Sequence, residues 1–233
     1  MQNQIIIAEG ISNREFIERH AQPGRVGLCG GMTNVDIVIR RAQRHLHETG
    51  EWSDWSHAFL CQGRRADGHH WVIESDLEVQ HKHIKLGVQE NRLDKFHDDS
   101  VYTTLAVLDF ALTPDQVSCL LSNALELVAT RARYSMRELF GTLLALRHPS
   151  LRGKTNLLSR PQSFYCSAFV HHLFRCAGMD LAPGLDEKNT TPEDLWRTLS
   201  PHTAYMLRRE PKPRSNGAKT ILTKLKSLRR GHG

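Results

Sequence analysis

The segment Ser163-Phe164-Tyr165-Cys166-Ser167-Ala168-Phe169-Val170-His171-His172-Leu173-Phe174 is the part of the chain around which the rest is arranged. Phe169, Val170, Leu173, Phe174 and Ala177 recur at helical spacing and form one apolar face, and Gly178 follows as a stop. The periodicity predicts a helix that begins at Cys166. A cysteine in the first turn of a helix sits among unpaired backbone N–H groups at the positive end of the dipole, which favours a thiolate. Cys166 is therefore a candidate nucleophile. The competing reading is a small buried residue, a common fate of a free cysteine.

A basic partner for that thiol is found in two earlier runs. Trp55-Ser56-His57-Ala58-Phe59-Leu60-Cys61 and His70-Trp71-Val72-Ile73-Glu74-Ser75-Asp76 flank a Gly63–Gly68 turn and read as a hairpin. With the loop centred on Arg65 and Ala66, His57 faces Glu74, Phe59 faces Val72 and Cys61 faces His70. All six then share one face of the sheet. A carboxylate opposite an imidazole orients the ring and favours its charged form. A one-residue slip would put the two on opposite faces.

The 233 residues, 39% hydrophobic and 24% charged, are enough for one substantial core. The formal charge of +6 is concentrated at the end: residues 206–233 hold nine Lys/Arg and one acidic residue, Glu210, leaving the rest near −2. Ile221, Leu222, Leu225 and Leu228 share a helical face among Lys219, Lys224, Lys226, Arg229 and Arg230. The segment 219–230 suits peripheral contact with an anionic membrane or a partner groove, and equally a disordered solubilising tail. No nucleic-acid signature accompanies the charge, so no nucleic-acid partner is expected.

Five cysteines, odd in number and without a C-x-x-C pair, argue against structural zinc and a disulfide framework and for a reducing compartment. No run of about 18 apolar residues occurs. The first ten residues hold only Ile5-Ile6-Ile7 beside Glu9, unlike a signal peptide. A protein cytoplasmic as synthesised is expected; delivery by a dedicated secretion system is compatible with the same pattern. The histidines His45, His47, His69, His70, His81 and His83 have no defined ligand spacing, and no metal or other cofactor is expected.

Along the chain, Ser12–Glu15 forms a capping box that opens a helix to His20. Glycines 24–31 suggest an irregular segment, and the β-branched run Asn34–Arg40 a strand. Val79–Val88 reads as mixed strand and turn. Val101–Leu108 reads as a strand, and Thr113-Pro114-Asp115-Gln116 opens a helix with Val117, Leu120, Leu121, Ala124 and Val128 inward. Cys119 beside that face is expected to pack. Ser135–Glu138 and Thr191–Asp194 open further helices, residues 150–161 form a basic loop, and Ala204–Leu207 ends the domain as a strand.

Cys166, His57 and Glu74 are the parts of a thiol hydrolase. The chain also resembles the circularly permuted NlpC-type cysteine hydrolases, the YiiX/YaeF-like group of papain-fold proteins related to lecithin:retinol acyltransferase-like enzymes. Val35-Asp36-Ile37-Val38-Ile39 is similar to their G-D-I-V-L strand, Trp55-Ser56-His57-Ala58 to W-S-H-V/A, and Trp71-Val72-Ile73-Glu74-Ser75 to V-I-E-A. Arg133-Tyr134-Ser135 resembles K-P-Y-D, and Phe164-Tyr165-Cys166-Ser167 resembles F-Y-C-S. The family has Gly where Val35 stands and an acidic residue where Ala168 stands.

The resemblance implies an α+β, permuted papain-like fold over residues 22–208: an antiparallel sheet or half-barrel packed on helices that include the nucleophile helix. Residues 209–233 remain as a tail. It implies a Cys166–His57–Glu74 triad, with substrate or oxyanion contacts at Tyr165, Asp36 and Tyr134. The implied activity is hydrolysis of an amide, as in cell-wall peptides. The rivals are a lipid acyl hydrolase or acyltransferase at a membrane, and a binding domain that retains the fold without catalysis.

Overall fold

A computed structural model describes residues 3–80, 83–134, 136–156 and 163–209. The tail at 210–233, the Ser135 cap and residues 157–161 of the expected loop at 150–161 lie outside them.

A seven-stranded sheet forms the body, flanked by helices on both sides, in a mixed α+β architecture. β1 (Gln4–Ala8) is its edge, and α1 (Asn13–His20) follows with the expected capping box. β2 (Val26–Gly31) lies at the sheet centre, and α2 (Asn34–Ala42) follows it. β3 (His57–Arg64), β4 (His70–Gln80) and β5 (His83–Arg92) form a meander, and β6 (Tyr102–Asp109) returns to the centre. Next come α3 (Pro114–Ala129), the two-residue strand β7 (Arg133–Tyr134), α4 (Met136–Arg147) and the two-residue strand β8 (Ser163–Phe164). The described residues end with α5 (Cys166–Cys176), α6 (Pro192–Trp196) and β9 (Thr203–Arg208). The sheet order is β1-β9-β6-β2-β3-β4-β5, antiparallel except where β1 runs beside β9. The body thus extends N-terminally of residue 22.

Side-chain alternation divides the sheet between two cores. Val26, Leu28, Leu60, Ile73 and Ala106 pack against α5 through Ala168, Phe169 and Leu173. Phe59, Cys61, Val72, Leu105 and Val107 face α1, whose Phe16 and Ile17 cover them with Phe96. The cysteine helix is the centre of the first core: eight of its eleven residues are buried. Each fully buried Phe or Leu there is worth about 1.5–3 kcal/mol.

Three expectations fail here: the strand at 34–40, the irregular segment at 24–31 and the packing of Cys119. The run at 34–40 is helical, because Thr33 and Asp36 cap it reciprocally and this outweighs the β propensity of Val35, Ile37, Val38 and Ile39. The strand position belongs instead to the glycine-rich 26–31 run. Gly27 is needed there, since a Cβ would lie 1.9 Å from the Phe59 ring on the neighbouring strand. Cys119, expected to pack, is exposed. No helix of the described residues is long and apolar enough to cross a membrane.

Candidate active site

β3 and β4 pair with Leu60 opposite Ile73 and Cys61 opposite Val72, two residues away from the expected register. Because strand faces alternate with period two, His57 and Glu74 still share a face. Their side chains meet diagonally, with His57 Nε2 2.5 Å from Glu74 Oε2. Trp55 and Ser56 hold this end of the strand in place. Trp55 is buried against Trp196, and Ser56 Oγ accepts from Gly31 N–H and donates to the Cys29 carbonyl.

Cys166 begins α5, as the periodicity requires, and lines the same pocket as His57. The pocket, about 260 Å³, is also lined by Cys29, Asp36, Ser56, Asp76, Lys95 and Tyr102. Hydroxyls beside the thiol fix the start of the helix. Tyr165 and Ser167 both donate to the Thr190 carbonyl, at 2.6 and 2.8 Å. His171 bridges Thr190 Oγ1 and Asp180.

Burial of His57 opposes its charged form, but the adjacent Cys166 sulfur and the Glu74 bond outweigh it and hold the ring well above its usual pKa. Glu74 is fully buried, which alone would raise its pKa. Lys95 and His57 reverse that and bring it to about 2. The Lys95 ammonium donates to Glu74 Oε1 and, at 2.8 Å, to Asp76 Oδ2; Asn91 Nδ2 adds a bond to Glu74 Oε1 at 2.7 Å. Burial works against the Lys95 charge, and the two carboxylates raise its pKa regardless.

The remaining expected contacts divide. Asp36 lines the pocket, but its carboxylate accepts from the Thr33 backbone and hydroxyl and so caps α2. The Tyr165 hydroxyl is directed to Thr190 and Thr142 within the core, which gives it a structural place instead of an oxyanion contact. Tyr134 is located by its backbone alone, in β7 beside Phe164 of β8; its side chain lies outside the described part.

No protein-family model matches the chain, and no curated protein matches it. A search of solved structures gives a fold relative. The chain is similar to metalloprotein yiiX from Escherichia coli O157:H7. The TM-score is 0.50 at 13% identity, over 81% of this chain and 97% of that one. The likeness to yiiX is one of fold.

Sequence reasoning missed Lys95 and Asn91. Lys95 stands in a short 3-10 turn, Leu93–Phe96, with no motif around it. The available signal was a buried Glu with a single imidazole partner, a charge that calls for a second cation.

Proposed function

We propose that this chain is a permuted papain-like thiol hydrolase that cleaves an amide through a thioester. The observation that carries the reading is His57, held by Glu74 at 2.5 Å in the pocket that Cys166 lines. The Cys166 proton passes to His57, on the ring edge that Glu74 does not occupy. The sulfur attacks the carbonyl carbon, forming C–S while the carbonyl electrons move to oxygen. The backbone N–H of Cys166, at the helix start, is a donor available to that oxyanion. On collapse the C–N bond breaks and His57 protonates the departing amine. Water then gives its proton to His57 and attacks the thioester, C–S breaks, and the acid leaves. Glu74 orients the ring and stabilises its charge throughout.

A lipid ester is the second reading. It is supported by the apolar wall that α2 gives the pocket through Val35 and Ile39. The relative yiiX is described as a metalloprotein. Here His57, Glu74 and Asp76 bring ligand atoms within 4.8 Å of one another. The Lys95 ammonium, however, already donates to both carboxylates, and a dication there would meet it at close range. The donor set does not fit a resident metal, and no step uses one.

Purified peptidoglycan and phospholipid vesicles, incubated with wild type and Cys166→Ala, test the proposal. Release of new amino groups from peptidoglycan by the wild type alone is expected. Fatty-acid release from vesicles instead would establish the ester reading. Equal products from both proteins would sink the nucleophile.

A further inference from the structure

The catalytic pocket takes Val35, Asp36 and Ile39 from α2 and Thr33 from its cap. The same helix also borders a larger groove, about 520 Å³, which it shares with α4 and the Gln43–Leu46 turn. Val38, Ala42 and Leu144 give this groove its apolar surface, and Arg41, Arg44 and Arg147 its charge, with His45 beside them. Among the described residues, no carboxylate lines it.

None of the nine residues of α2 is buried. Val35 and Val38 are each 57% exposed, Leu144 45% and Trp52 48%. Arg41 lies over the Trp52 ring, 5.8 Å from its centroid. Aliphatic groups so placed lose free energy to water unless something covers them. The arginines differ from those that the fold uses in ion pairs. Arg25, Arg40, Arg65 and Arg152 all pair with carboxylates. Among the described residues, Arg41, Arg44 and Arg147 form no ion pair.

We propose that this face docks on a bilayer surface containing anionic phospholipids. Val35, Val38, Leu144 and Trp52 enter the boundary between headgroups and acyl chains, and the three guanidinium groups take lipid phosphates. Exposed aliphatics, an indole and unpaired arginines without acidic neighbours are the chemistry of that boundary. α2 then lies between the membrane and the catalytic pocket. The docking makes no use of the Cys166 thiol.

The test is co-sedimentation of the full chain with vesicles of phosphatidylcholine, with and without phosphatidylglycerol. The expected result is preference for the anionic vesicles and a roughly hundred-fold loss of affinity in Arg41→Gln/Arg44→Gln/Arg147→Gln. Val38→Ser/Leu144→Ser, with circular dichroism to confirm folding, also weakens binding. A blue shift of tryptophan emission on vesicle addition disappears in Trp52→Phe. Cys166→Ala binds like wild type, so failure of the proposed chemistry leaves this readout intact. The dependence on the three arginines persists when Lys219, Lys224, Lys226, Arg229 and Arg230 are changed to Gln. Wild-type affinity in the triple variant, equal binding to uncharged vesicles, or binding that follows the 219–230 charges alone would overturn the proposal. So would full competition by soluble glycerol phosphate, or tighter binding to a poly-glutamate peptide than to vesicles.

Discussion

His57 and Glu74 share a face of the sheet because one extra residue, Gln62, interrupts the ladder between them and the turn. Near the turn Arg64 pairs with His70 and Gly63 with Trp71; past the bulge Cys61 pairs with Val72 and Leu60 with Ile73. Carried on without the bulge, the turn-side register would send His57 and Glu74 to opposite faces. The bulge is pinned from several sides. Gly63 takes φ +86°, and Gln62 hydrogen-bonds Glu90 and Arg65.

Deletion of Gln62 is therefore expected to keep a β3–β4 hairpin while separating imidazole from carboxylate. Turnover should fall about 10³-fold or more, as on loss of a triad member. The check is activity together with hydrogen exchange on β3. A deletion variant with wild-type turnover would show that the pair does not need this register.

The ring of His57 should titrate well above 6.5, despite burial, because Cys166 and Glu74 favour its charged form. A raised folded-state pKa contributes stability that is complete below the unfolded value and is lost as pH rises through the folded one. The alkaline limb of kcat/KM should accordingly lie well above pH 6.5. It should move down in Glu74→Gln. In Cys166→Ala, nuclear magnetic resonance should find the His57 ring titrating lower than in wild type.

For Glu74 the sign is opposite. Its pKa is depressed from 4.5 to about 2 in the folded protein, mainly by Lys95 acting against burial. Its stabilisation, about 3 kcal/mol, is present above pH 4.5 and is lost as pH falls toward 2. Lys95→Met leaves a buried carboxylate short of its cation and should cost about 3 kcal/mol at neutral pH. Urea unfolding between pH 2 and 7 measures both. In Lys95→Met the acid loss should begin at higher pH.

Tyr165→Phe removes a hydroxyl bonded to Thr190 and Thr142. A cost of about 1–2 kcal/mol in stability is expected, with Cys166 still acylated by a thiol-directed probe. Loss of labelling in a folded Tyr165→Phe would return the hydroxyl to the reaction.

Much of this site can be read in the sequence because its members lie in periodic elements. The apolar face from Phe169 to Phe174 sets the direction of the Cys166 helix, and alternation on β3 and β4 sets the face of His57 and Glu74. Parity holds because the Gln62 bulge turns a three-residue difference in register near the turn into a two-residue one, and strand faces repeat every second residue. The helix at 34–42 is hidden from a local reading because its side chains favour a strand, while the deciding signal is the Thr33–Asp36 cap. Lys95, Asn91 and Thr190 were not legible. Each lies on an element distant in sequence from the group it serves, and only the folded topology brings them together.

The bulge also bears on descent. A hairpin whose pairing parity depends on Gln62 gains or loses the His57–Glu74 pair with one codon, while its hydrophobic alternation near the turn stays as it was. A lineage carrying this sheet could thus pass between the proposed thiol centre and an inert scaffold by a single in-frame indel, with Cys166, His57 and Glu74 all still encoded.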